Sequence, residues 1–433
     1  MKKITALLIA ALLALSLCGC EQIEQLKQIE LPTPSVEPSE TPEPTPEASE
    51  EPEATPEPTP EAAEPSSYVT ISIGEHKETY YAPDDENQLI LDFSYETPTV
   101  HIYGNDAASE KINDFIAAMD EEYYTGSNYA EGGYGVGING MLDMAYDNLS
   151  YVRDNNIEAN LTLASNRTVL VARADEKLIS LLYNDYSYTG GVHGIYGYTG
   201  YIFDTETGEQ LTLDKLAPDL DAFKTWLTAA MVEKVNSDDE LKQSLTVDDV
   251  ETALAALIRE GSWYLDGDGL TVFSSVYEIA PYAAGVINFK FSYDEIAPYI
   301  DSKWLPAART GSGELEALAL DALPEGTEII DKVTVDSGET QLCIKVSGAV
   351  YDVSVCSVEY ADFDSRFYTT GEHWYCSYMK DSAIQLETMI PDGIPNLMVS
   401  YTDADGVNHS KLVSQSGMDG SFLLIDDNIE VLG

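Results

Sequence analysis

Residues 187–216 read SYTGGVHGIYGYTGYIFDTETGEQLTLDKL, and the fold turns on them. Two glycines and a histidine come first, then aromatics at alternate positions, then Asp-Thr-Glu-Thr-Gly. Glycine tolerates positive φ, so Gly190 and Gly191 permit a sharp bend. Period-two alternation predicts a strand over 195–203. Residues 204–208 predict a tight turn and 210–213 the end of a second short strand. A helix with Phe223, Trp226, Leu227, Ala230 and Met231 inward is then expected over 218–235. A second is capped by the 246–249 segment, with Val250, Leu254, Leu257 and Ile258 on its apolar side. Residues 263–299 predict strands around 270–273, Tyr277 and 286–291, closed by a helical turn over 294–299.

Working back from the opening stretch, residues 68–81 and 88–103 alternate as strands. Residues 106–124 predict a helix, with Ile112, Phe115, Ile116 and Met119 on one face. A glycine-rich loop is expected over 126–140, a helix over 141–152, and strands over 157–164, 168–173 and 177–183. Working forward, 306–313 (PAARTGSG) predicts a linker. Beyond it, evenly spaced short strands predict a small sandwich. The fold class is therefore α+β: two mixed α+β domains, 67–183 and 184–305, then an all-β domain over 314–433.

The N-terminus sets an address. Lys2 and Lys3 precede an apolar run over 4–17, too short to span a membrane and read as a signal peptide. Leu17-Cys18-Gly19-Cys20 is a lipobox, and Gly19 favours Cys20 as the lipidated residue. Residues 1–20 are thus leader and lipobox, and 21–66 a stalk rich in Pro and Glu, too polar to fold. At about 3.1 Å per residue its proline-rich part reaches roughly 110 Å. The expectation is a chain anchored by lipid on the extracytoplasmic face, with no cytoplasmic part and no other membrane contact.

The formal charge of −54 repels nucleic acid and suits a cationic partner or plain solubility. Cys343, Cys356 and Cys376 allow one disulfide with a free thiol, or three thiols. No cofactor is expected. Residues 135–140 match G-x-G-x-x-G but follow no strand, so a surface loop is the expectation there. Asp-Gly at 266–269 and 403–406 predicts hairpin turns rather than calcium loops.

No catalytic or metal motif stands out. The histidines, at 76, 101, 193, 373 and 409, are scattered over the three domains. With 76 acidic residues, some carboxyl pair at a hydrolase spacing is expected by chance. His193 is expected to bond backbone groups across its bend, or to face a partner. The tyrosines around it offer rigid amphipathic contact area. The candidate binding residues are Tyr188, His193, Tyr196, Tyr198, Tyr277 and Tyr282.

The opening stretch, followed by VYEIAPYAAGVINFKFSYDEI at 276–296, resembles the RsiV-like domain of bacterial surface proteins. A GG-x-H bend, a D-x-x-T-G turn and a Y-x-I-x-P-Y-x-x-G segment carry the likeness. VHIYGNDAASEKINDFI, at 100–116, resembles the domain on the N-terminal side of PdaC-type peptidoglycan deacetylases. The resemblance implies a non-enzymatic module that binds a lysozyme-type cationic protein or peptidoglycan. The alternatives are a wall-acting hydrolase or deacetylase with an unrecognised site, and a structural envelope lipoprotein.

Overall fold

The computed structural model describes residues 65, 67–126, 137–157, 162–336, 338–361, 366–391, 394–426 and 429–430. The leader with Cys20, the stalk apart from Pro65, and most of the glycine-rich loop lie outside the described residues.

Strands β1 (Val69–Ala82) and β2 (Asp85–Ile102) form a long hairpin. Helices α1 (Asp106–Thr125) and α2 (Ile138–Asp154) follow, then β3 (Leu163–Ala174), β4 (Leu178–Tyr188) and β5 (Ile195–Asp204). β2 and β3 pair in parallel, and β3, β4 and β5 form an antiparallel meander. α1 lies on this sheet as its period predicts, with Ile112 and Ile116 buried and Phe115 and Met119 packed against the same cluster. Its cap ties the opening stretch down. The Asn105 side chain accepts from Ala108 N and donates to the carbonyls of Thr205 and Glu206. In that turn Asp204 accepts from the Glu206 and Thr207 amides, and Gly208 sits at φ +66. A Cβ on Gly208 would lie 2.7 Å from the Ala108 carbonyl, so D-x-x-T-G is a docking turn for α1.

The next part is helical and then stranded: α3 (Leu213–Leu216), α4 (Leu220–Ser237), α5 (Asp239–Ser244), α6 (Val250–Leu257), β6 (Trp263–Leu265), β7 (Gly269–Ser274), β8 (Ile287–Ser292) and α7 (Tyr293–Ile296). β6, β7 and β8 make a separate antiparallel sheet. Phe223, Leu227, Met231, Leu254, Leu257, Phe289 and Phe291 share one buried cluster with it. Burying each such side chain contributes about 1.5–3 kcal/mol before entropy is charged.

The last part is β-rich: β9 (Gly313–Ala319), β10 (Glu328–Thr334), β11 (Thr340–Ala361), β12 (Arg366–Lys380), β13 (Ser382–Thr388), β14 (Leu397–Thr402), β15 (Asn408–Gln415), β16 (Phe422–Ile425) and β17 (Ile429–Glu430). β11 is long enough to serve two layers. Its first half pairs with β9 and β13, its second with β12 and β14. Leu342, Ile344 and Val346 from the first half meet Val353, Val355 and Trp374 in one core, as in a sandwich.

The mixed α+β class holds, but three expected boundaries shift. β4 runs through residue 183, where the first domain was expected to end. Residues 163–164 and 168–173, expected in two strands, belong to one strand, β3, while 158–161 lie outside the described residues. Residues 138–140, expected in a surface loop, form the first turn of α2. The C-terminal strands also join the first sheet: β1 pairs with β12 at Thr70–Cys376, Ile71–Tyr375 and Ser72–Trp374. Trp374 faces the sandwich core, and Tyr375 completes the core under α1. Pairing by backbone hydrogen bonds leaves no mark in residue type, which is why composition alone pointed to a separate unit.

Candidate functional site

The Gly190–Gly191 bend is present, at φ +104 and +101. It presents His193 on the surface. His193 Nδ1 donates to the Gly194 carbonyl at 2.9 Å, since a carbonyl can only accept. In that tautomer Nε2 is an acceptor, and the Tyr277 hydroxyl lies 3.3 Å from it. The ring stacks on Tyr282 at 3.9 Å and 18°. Tyr196 meets Tyr282 edge-on at 5.8 Å, and the Tyr188 hydroxyl holds the Gly191 carbonyl at 3.0 Å.

The second motif supplies the other half. Tyr277 is not in a strand, as was expected, but in a turn at φ +67. A tyrosine in left-handed backbone costs on the order of 1–3 kcal/mol and persists only where the surroundings enforce it. Ile279 anchors that turn in the core, and its carbonyl accepts from the Thr246 amide. Gly285, at φ +69, lies where a Cβ would come within 3.3 Å of the Tyr196 hydroxyl. The two motifs therefore meet at the His193–Tyr282 stack.

Five of the six candidate residues converge here. Tyr198 does not: it is half-buried, with its ring edge-on to Phe273 at 6.0 Å, and burial raises its hydroxyl pKa. Sequence reasoning missed the aliphatic part of the patch. Val192 is 95% exposed and Ile195 58%, on either side of His193 in the chain, and Tyr277 is 57% exposed. The signal was present in the bend itself, because residues held out by two glycines have nothing to pack against.

A cleft of about 1340 Å³ opens between β3, the 266–268 turn, residues 306–309 and strands β11, β12 and β14. Past Arg167, β3 leaves β2, and two glutamates take its free amides. Glu96 accepts from Val169 N at 2.7 Å and Glu372 from Val171 N at 3.2 Å. Burial pushes the Glu96 carboxyl up to about 7, with Glu75 adding to the effect against the pull of the amide. Burial pushes Glu372 up to about 8, and Glu96 nearby raises it further. No sequence motif marked these residues.

Elsewhere the histidines have separate partners. His76 bonds Glu78 at 3.0 Å, His373 bonds Ser357 at 2.6 Å, and His409 bonds Asp403 at 2.9 Å. The Asp266 and Asp403 carboxylates accept from amides of their own turns, as hairpin turns require. Cys343, Cys356 and Cys376 are buried free thiols. Among the described residues no group of three or more His, Cys, Asp or Glu is placed to hold a metal ion, and no helix is long and apolar enough to cross a membrane.

Residues 211–294 match a family described as a protein of unknown function, DUF3298. The chain thus carries a DUF3298 domain, consistent with an RsiV-like region. It takes in the Tyr277–Gly285 motif and begins after the His193 bend. A solved DUF3298 family member from Bacteroides fragilis is 18% identical, with a TM-score of 0.40, covering 54% of this chain and 94% of that one. A DUF3298 family protein from Pseudomonas aeruginosa PAO1 is 15% identical, with a TM-score of 0.37, covering 55% and 97%. No curated protein matches the chain.

Proposed function

We propose that this chain is a non-enzymatic binding module, lipid-anchored through Cys20 on the extracytoplasmic face, whose His193 patch docks a protein partner. One observation carries the reading: the strained, exposed Tyr277 held against His193, whose chain neighbours Val192 and Ile195 are also exposed. Tyrosine with aliphatic tips suits a protein surface, where rigid aromatic area anchors binding. The charge of −54 favours a cationic partner, by faster encounter more than by tighter contact. The likeness to RsiV-like and PdaC-type domains supports a lysozyme-type protein as that partner.

The test is calorimetric titration of the purified chain with a cationic lysozyme at low and moderate salt. Binding is expected, weaker at higher salt, and lost in Val192→Asp and Tyr277→Ala. No heat at either salt concentration would sink the lysozyme reading. Binding untouched by both substitutions would move the interface off the patch.

A further inference from the structure

The cleft beside β3 is separate from the His193 patch, and its wall chemistry narrows what it can hold. Asn184, Ser354, Thr370, Ser400, Thr402 and Asn408 place hydroxyls and amides on its wall, among apolar side chains such as Val169, Leu182 and Met398. Asn184 Oδ1 is buried with no hydrogen-bond partner, a position native proteins rarely leave unfilled. The site calls for donors.

Other ligand classes fit poorly. An anion would need a free cation, yet the two guanidiniums of the wall are engaged, Arg173 with Asp175 and Arg309 with Asp352, both at 2.6 Å. An extended peptide would need a free strand edge. Here the Glu96 and Glu372 carboxyls already sit where an added strand's carbonyls would, and so blunt β3. A cation would be drawn to Asp266, Asp268 and Asp405 at the turns of the cleft wall. Burial raises the Glu96 carboxyl to about 7 and the Glu372 carboxyl to about 8, so the pair carries less than its full charge near neutral pH. A carboxylic acid donates one hydrogen bond and accepts others, as a sugar hydroxyl does.

We propose that the cleft between β3 and β12 binds an uncharged, polyhydroxylated chain, a neutral oligosaccharide, through Asn184, the Ser354–Ser400–Thr402 wall and the Glu96 and Glu372 carboxyls. Its volume, beyond the 300–1,000 Å³ or so of common small-molecule sites, suits several sugar units. The proposal does not rest on the patch, and either can fail alone.

The test is calorimetric titration of the purified chain with a chitin tetrasaccharide, with cellotetraose, and with hexa-lysine as the cationic competitor. One site is expected for at least one saccharide, and hexa-lysine, drawn to the acidic turns at the rim, should not displace it. Asn184→Leu should weaken saccharide binding roughly tenfold, the effect of losing one buried polar contact. Thr370→Trp and Asn408→Trp, at exposed wall positions, should block it, with far-UV circular dichroism and melting confirming the fold. Tyr277→Ala, on the patch, should leave it within about twofold, as expected for a site with no shared contact. The proposal is overturned if neither saccharide binds at millimolar concentration. It is equally overturned if the wall variants bind as the parent does, or if hexa-lysine binds in the cleft and the saccharides do not.

Discussion

The His193 patch and the β3 cleft are built in opposite ways. The patch joins two short motifs, and each contributes a glycine-permitted or strained bend that pushes aromatic rings outward. The cleft draws its walls from residues as far apart as Glu96 and Asn408, held by strand pairing and ion pairs behind them. The patch is strained locally and expendable to the core; the cleft is part of what holds the fold. Substitutions in the cleft wall should therefore cost stability, and substitutions in the patch should cost binding.

The largest effect should come from Arg173. The residue is 6% exposed, and its guanidinium bonds Asp175, the Tyr293 hydroxyl and the Trp304 carbonyl. Arg173→Ala leaves Asp175 without its charge partner and should destabilise by about 3–5 kcal/mol in equilibrium denaturation. A loss under about 1 kcal/mol would mean that the cleft wall is as expendable as the patch.

Next is a pH effect confined to the cleft. The folded-state values of Glu96 and Glu372, about 7 and about 8, lie above the ordinary 4.5. Folding then favours the protonated form. Their contribution is full below about pH 4.5 and is lost as pH rises to about 8. Carboxylates such as Glu78 and Asp403 are shifted the other way and slope oppositely. The difference between the parent and Glu96→Gln/Glu372→Gln isolates the effect: the parent should lose stability over that window relative to the double variant. Parallel curves would show that neither carboxyl is held protonated.

Smaller still is Gly194→Ala. A Cβ there would lie 2.4 Å from the Tyr186 ring, which is 36% exposed and can swing aside. The cost should be about 1 kcal/mol, read as a small drop in melting temperature. The smallest effect belongs to His193→Ala, within about 0.5 kcal/mol, because the side chain is exposed and its partners Tyr277 and Tyr282 lie with it on the surface patch rather than in the core. A large loss would make the histidine a structural bolt and weaken the case for an interface.

Much of the patch was legible. Glycine pairs, D-x-x-T-G and the Pro281–Tyr282 segment have backbone consequences that follow from the residues alone. Tyr277 was not, because alternation placed it in a strand, whereas packing of Ile279 bends the chain to φ +67. Helix α1 was readable to within a residue, since its apolar face and its Asn105 cap are both local. Glu96 and Glu372 were invisible among 76 acidic residues. A buried carboxyl differs from a solvated one only in what surrounds it.

The sequence by itself determined the elements: which segments form helices and strands, where glycine allows a bend, and where Asp, Asn and Ser cap a turn or helix. These follow from dihedral preferences and short-range hydrogen bonds, which residue type controls. Tertiary structure alone decided that β12 joins β1 across about 300 residues, that Tyr375 completes the core under α1, and that a cleft opens where β3 parts from β2. Backbone edges are chemically alike in every strand. The choice of neighbour is settled by how whole faces pack, and no local pattern records it.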